Sequence, residues 1–205
     1  MAFKKVSDYN SQRFDGLFVL RNDGDYADVV FLYQSVDDVL VADTHYLKTN
    51  GYSGYVHCCG TGCPACNKNI RVQTKLFIPL YNITAGNVLQ FWDRGVRFES
   101  QLQQDVFSKF ANPSQYVFRI IRHGMANDMN TTYEIMVAGQ NNYKSYDQIL
   151  ADYHTSSPAF YEHICRDMSV AEMATLFSNG GGATEGSYGE YNAGNLPNYA
   201  VTPRS

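Results

Sequence analysis

His57 to Cys66, HCCGTGCPAC, gathers four of the chain's five cysteines and one of its five histidines into ten residues. Three chemistries use such a cluster: a disulfide knot, a dithiol redox centre or a metal site. The opening residues, MAFKKVSDYNSQRFDG, carry lysines with no apolar segment behind them, so they do not read as a secretory leader, and no apolar run approaches the ~20 residues of a membrane span. The expected setting is a cytoplasm with no membrane contact, where thiols stay reduced, and an odd cysteine count also argues against a disulfide framework. A thioredoxin-like site would place Cys-x-x-Cys at the start of a helix in a βαβ unit. Here Cys63 to Cys66 leads instead into the strand-like RVQTKLFIPLYNI.

A tetrahedral zinc site commonly takes two ligands from a tight Cys-x-x-Cys knuckle and two from elsewhere. Cys63 and Cys66 supply the knuckle, and Cys58 lies close enough to be the third ligand. For the fourth there are three candidates: Cys59, His57 and the more distant His45. Adjacent residues rarely both reach one small ion, which makes His45, at the end of a strand and joined to Cys58 by a turn-rich loop, sterically the easier choice. One structural zinc ion is expected. Three thiolates and one histidine leave no open position for water, and none of the five histidines is followed two positions later by Glu, the general base of the zinc deaminases. No enzymatic activity is expected.

The elements that would carry this cluster are mostly strands. ADVVFLYQ (27–34), VLVADTHYL (39–47), RVQTKLFIPLYNI (71–83), NVLQFW (87–92), QYVFRIIRH (115–123) and TYEIMVA (132–138) are separated by turn-forming Gly, Asn, Asp, Ser and Pro. One helix interrupts them, where Phe98, Leu102, Val106 and Phe110 recur every four residues before Asn112-Pro113. Two more helical stretches follow, about 146–153 and 158–177, the second restarted by a capping box at Ser169 and Glu172. The pattern predicts a mainly β fold with helices (α+β), a five-stranded barrel of the oligonucleotide-binding type. The expected organisation is an N-terminal arm (1–16), a core (17–140) with an inserted zinc-binding subdomain at about 44–70, C-terminal helices packing on the core (141–178), and a flexible Gly, Asn and Tyr-rich tail (179–205).

The net charge of −4 conceals a separation. Residues 44–124 hold nine Lys/Arg against three acidic residues, whereas 1–43 hold four basic against eight acidic, and 125–205 three against nine. A basic centre suggests an anionic partner. In RVQTKLFIPLYNI, alternation puts Val72, Thr74, Leu76, Ile78 and Leu80 on one face and Arg71, Gln73, Lys75, Phe77 and Tyr81 on the other. The second face interleaves cations with rings, which lets phosphates pair with side chains while unpaired bases stack. The candidate nucleic-acid contacts are Lys48, Arg71, Lys75, Phe77, Tyr81, Phe91, Trp92, Arg94, Arg97, Tyr116, Arg119 and Arg122.

HYLKTNGYSGYVHC, with twelve residues between His45 and Cys58, followed by CPAC, resembles the zinc-binding segment of the single-stranded DNA-binding, helix-destabilising proteins of T-even-type tailed phages. The resemblance carries ligand roles onto His45, Cys58, Cys63 and Cys66 and leaves Cys59 spare. ADVVFLYQSVDDVLVADTHYL, LFIPLYN, VLQFWDRGVRF and YVFRIIRHG are similar, more loosely, to that family's strands and helix. Phe3 to Ser7, FKKVS, is similar to its short basic cooperativity element, with Lys4 and Lys5 in that role. The resemblance implies cooperative, sequence-independent coating of single-stranded DNA in phage replication, recombination and repair, self-association along DNA, contacts with that phage's replication and recombination proteins, and work in the host cytoplasm. The chain departs from the family in having only four residues between Cys58 and Cys63, and only Glu185 and Glu190 where the family has a strongly acidic tail. A different function fits the same features: a zinc-stabilised protein-interaction module of a virion or transcription complex, its basic face meeting acidic protein.

Overall fold

Runs of β-branched and aromatic residues, punctuated by turn-formers, become strands, and the continuous apolar run LFIPLY is buried on both of its faces. The computed structural model describes residues 14–49, 52–126, 128, 130–153, 164–178 and 184–185. These form one mixed sheet of ten strands with helices against it. In chain order the strands are β1 (Phe14–Leu17), β2 (Tyr26–Phe31), β3 (Leu40–Thr49), β4 (Tyr52–His57), β5 (Gln73–Asn82), β6 (Val88–Gly95), β7 (Tyr116–His123), β8 (Thr132–Gln140), β9 (Cys165–Arg166) and β10 (Thr184–Glu185). The helices are α1 (Pro64–Asn67), α2 (Glu99–Leu102, continued as a π-turn through Gln103–Phe107), α3 (Tyr146–Tyr153) and α4 (Val170–Ser178).

β5 is the centre of the sheet. One of its edges pairs along its length with β6, and the other is shared, first by β3 opposite Gln73 to Phe77 and then by β2 opposite Leu80 to Asn82. Pro79 falls in the interval between those two partners, where its missing N–H costs no ladder bond, while its carbonyl accepts the Leu32 N–H at 3.2 Å. β3 likewise changes partner. Leu40 to Thr44 lie on β5, and Thr44 to Thr49 leave the main sheet to form a hairpin arm with β4. The sheet is open among the described residues: β8 pairs only with β7, and β1 only with β6. The mainly β fold with helices is as expected, and the five-stranded barrel expected from the sequence is not confirmed by these pairings.

Sequence alternation sorts the β5 side chains as expected, but burial does not follow the polarity it suggested. Leu76, Ile78 and Leu80 join Trp92, Phe118 and Ile120 beneath Leu102 and Val106 of α2. Phe77 and Tyr81, on the face expected to be open, join Phe91, Leu89 and Val117 beneath Ile149 of α3 and Ile164. A third cluster wraps the β3–β4 arm, with Leu47, Val56, Ala65 and Ile70 against Met168 and Met173 of the C-terminal segment. α4 begins at the expected capping box: the Ser169 N–H donates to Glu172 Oε2 at 2.9 Å, and the Glu172 N–H donates back to Ser169 Oγ at 3.3 Å. It starts later than the sequence suggested, because Cys165 and Arg166 extend alongside β4; residues 158–163 lie outside the described residues. The arm at 1–13 and all of the tail but 184–185 also lie outside them.

Candidate metal centre and basic sheet face

The β3–β4 arm brings the ends of a long sequence gap together. His45 sits opposite Val56, and two residues past Val56 the Cys58 N–H donates to the Asp43 carbonyl at 2.8 Å, so Cys58 arrives beside the start of the arm. His57 pairs with Thr44, one position off His45, and so belongs to the opposite face of the arm. The chain then turns back through Gly60 and Gly62, both at positive φ (72° and 78°), a conformation glycine adopts without steric penalty. α1 follows with Cys63 at its N-cap and Pro64 in its first turn, a helix start that needs no N–H from proline.

The result is a four-ligand cluster. His45 Nε2 lies 3.5 Å from Cys63 Sγ and 3.5 Å from Cys66 Sγ, Cys58 Sγ lies 3.6 Å from Cys66 Sγ, and all four ligand atoms fall within 4.8 Å of one another. Ligands at about 2.3 Å (sulfur) and 2.0 Å (nitrogen) from a tetrahedral ion stand roughly 3.5–3.8 Å apart, which matches these separations. His45 Nδ1 faces the Arg71 carbonyl at 3.2 Å, which holds the ring in the tautomer whose Nε2 lone pair is free for a metal. His45 and Cys63 are fully buried. Burial pushes the Cys63 thiol up, but N–H groups of Cys66, Cys59 and Ala65 outweigh it and bring it down to about 6. Burial, with the neighbouring Cys58 and Cys63 thiols, pushes Cys66 up to about 12. Sulfurs this close ionise together only with a cation among them, so the donor set fits a bound metal ion.

Cys59 stands outside the four, its thiol donating to the Met168 carbonyl at 3.4 Å. No disulfide links the five cysteines. The four expected ligands are thus the four brought together, and Cys59 and His57 are not among them. The sequence did not foretell the cover: Cys63 Sγ contacts Met173 Sδ of α4 at 3.7 Å. The helix restarted at Ser169 was legible, but not that it would cover this cluster.

The expected nucleic-acid residues separate into three groups. Phe77, Tyr81, Phe91 and Trp92 are buried, and Lys75 with them, 5 % exposed, its ammonium 3.8 Å from Asp93 Oδ2 and 5.7 Å over the Tyr55 ring. Burial lowers the Lys75 pKa, and Asp93 opposes that shift. Other candidates have structural work. Arg119 forms a bidentate pair with Asp28 at 2.8 and 2.9 Å and stacks on Tyr26, and Arg122 ties together the carbonyls of Leu20, Gly124 and Met125 with the hydroxyls of Thr131 and Tyr133. Tyr116 packs its ring 4.9 Å from that of Phe110. Lys48 is half-buried where β10 runs beside β3. The third group remains at the surface: Arg71 and Arg97 are exposed, and Arg94 is half-buried. Lys4 and Lys5 lie outside the described residues.

Trp92 is the chain's only tryptophan, wedged edge-on against Phe18, Phe98 and Tyr133 at 5.5, 4.8 and 5.1 Å. Its emission is expected to be blue-shifted and resistant to acrylamide quenching in the folded protein. Quenching as efficient as that of free indole would contradict this packing.

Comparison of the chain with protein-family models, with curated proteins and with solved structures finds no match. No helix among the described residues is long and apolar enough to cross a membrane.

Proposed function

We propose that the protein binds single-stranded DNA without sequence preference and that its cysteine–histidine cluster holds one structural zinc ion. Three thiolates and an imidazole in tetrahedral spacing are the donor set of closed structural zinc sites, and soft thiolate donors disfavour magnesium or calcium. One observation carries the functional reading: the Arg71 carbonyl accepts from the ligand His45, while the Arg71 side chain is exposed at the head of β5. The metal cluster therefore fixes the backbone of a surface cation inside the chain's basic segment. Arginines on a sheet attract phosphates, and release of the counterions those phosphates hold drives binding. The resemblance of the His45–Cys66 stretch to phage helix-destabilising proteins supports the same reading, and with it a role in coating DNA during phage replication, recombination and repair inside the host cell. Nothing in this reading requires a closed barrel.

A strand whose bases are free to stack binds such a surface, and a duplex does not, so the protein should pull the melting equilibrium toward single strands. In low salt, saturating protein is expected to lower the melting temperature of an AT-rich duplex. An unchanged or raised melting temperature would count against the reading. Exposed Met136 and Val137 on the outer strand β8 favour a second reading, a zinc-stabilised protein-interaction module, which predicts no effect on duplex melting.

A further inference from the structure

The face expected to meet bases, that of Phe77 and Tyr81, is roofed by Ile149 of α3 and by Ile164. The opposite face, that of Trp92, is covered by α2 only along part of its length. Beyond that cover, at the ends of β3, β5 and β6, three large apolar side chains stand in water: Val41, Val72 and Val96, 55 %, 39 % and 43 % exposed. Val41 lies opposite Leu76, and Leu76 lies opposite Arg94, so Val41, Leu76 and Arg94 form one row across the three strands. Asp43 and Thr74 form the next row outward, and alternation puts Val72 beyond Thr74 on the same face.

The charge beside this strip suits an anion. The Arg94 guanidinium lies 4.9 Å over the Trp92 ring and 4.3 Å over the Tyr133 ring, and Nη2 donates to the Tyr133 hydroxyl at 2.9 Å. Its buried Nε–H has no hydrogen-bond partner, and no carboxylate pairs with Arg94 among the described residues. A guanidinium held by rings and a neutral hydroxyl keeps its full charge for an incoming oxyanion. Arg97 is exposed on the turn that follows β6. The nearby acids are Glu99, at the start of α2, and Asp43, whose Oδ1 already accepts the Thr74 hydroxyl at 2.6 Å. An aliphatic strip edged by Arg94 and Arg97 fits an unpaired base with its phosphodiester. A folded protein surface would leave the charges to be matched separately.

We propose that single-stranded DNA crosses the open end of the Trp92 face, a base resting on Val41 and Val96 and the adjoining phosphates meeting Arg94 and Arg97. This rests on the single-stranded DNA reading and assigns it a surface. Arg94 is already seated on its rings, so the strand meets a cation that is positioned before binding.

The test is fluorescence anisotropy of labelled oligo(dT) with the full-length protein and three surface variants, Arg97→Glu, Val41→Asp and Val137→Asp, each checked for metal content and melting temperature. Arg97→Glu and Val41→Asp are expected to weaken binding at least tenfold, and Arg97→Glu to make the log–log salt slope shallower by about one. Val137→Asp, on the exposed outer strand β8, is expected to bind as the parent does. If Val41→Asp melts early, Val41→Ser takes its place, with a smaller loss expected. Parent-like affinity in both strip variants would overturn the assignment of this surface while leaving the DNA reading standing, and equal losses in all three variants would also overturn it. Failure of the parent protein itself to bind oligo(dT) would instead sink the functional reading.

Discussion

Stripping the metal from the folded protein is expected to melt the β3–β4 arm and to lower the melting temperature by about 10–20 °C. Structural zinc sites contribute folding free energy directly, and a loss of ~5 kcal/mol in a chain of this size shifts melting by about 2–4 °C per kcal/mol. The effect should be this large because the cluster is the centre of its own small core. Leu47, Val56, Ala65 and Ile70 pack around the ligands, and Met168 and Met173 close over them from the C-terminal segment. Without a cation, three thiols and an imidazole are left crowded within 4.8 Å, much of the cluster buried. Cys63→Ser and His45→Ala should reproduce the loss and release one equivalent of zinc per chain, measured with a colorimetric chelator. Cys59→Ala should keep both zinc and stability, since its thiol faces Met168. Full stability after complete metal removal would show that the cluster is only a chance meeting of thiols.

Asp93→Ala is expected to cost about 3–5 kcal/mol, because it leaves a buried ammonium without its carboxylate. Lys75 and Asp93 are 5 % and 6 % exposed, and the Tyr55 hydroxyl donates to the same Asp93 Oδ2 at 2.6 Å. With ~2–4 °C per kcal/mol, the melting temperature should fall by roughly 6–20 °C. Replacing both partners, as in Lys75→Met with Asp93→Leu, should recover part of that loss, since an apolar pair has no charge to desolvate, while the Tyr55 hydroxyl loses the Asp93 acceptor. Thermal melting of the three proteins decides the matter. An Asp93→Ala variant that melts with the parent would return Lys75 to solvent, the position its alternation with Phe77 and Tyr81 first suggested.

That lysine marks where the sequence stops being legible. The alternation of RVQTKLFIPLYNI assigns each side chain to the correct face, because period two is a property of the strand itself. What it cannot report is whether a face has a roof. The roof over Phe77 and Tyr81 comes from Ile149 and Ile164, about 70 and about 85 residues later, and a polar–aromatic pattern reads the same whether it meets water or a helix. The continuous apolar run LFIPLY was the available sign of burial on both sides. β4 was lost for a local reason: TNGYSG reads as a turn, yet Tyr52, Ser53 and Gly54 pair with Thr49, Lys48 and Leu47 to form the arm. The candidate metal ligands were legible because the chemistry they suit is stringent. Few arrangements put thiols and an imidazole at such spacings by chance, and the tight knuckle already fixed two of the four. Arg119 and Arg122 were indistinguishable in sequence from surface cations, since their acceptors, Asp28 and a ring of carbonyls and hydroxyls, come from distant segments and from the β7–β8 turn.

Single-stranded DNA binding is tested most directly by the salt dependence of oligo(dT) binding to the metal-bound protein, measured from about 50 to 200 mM monovalent salt beside a duplex of matched length. A strand laid across arginines and neutralised at several phosphates should lose affinity with a log–log slope of about −3 or steeper, and should bind well above the duplex throughout. Binding of strand and duplex with equal affinity, a slope near zero, or no binding at all would contradict the proposal that this metal-pinned sheet is a single-stranded DNA-binding surface.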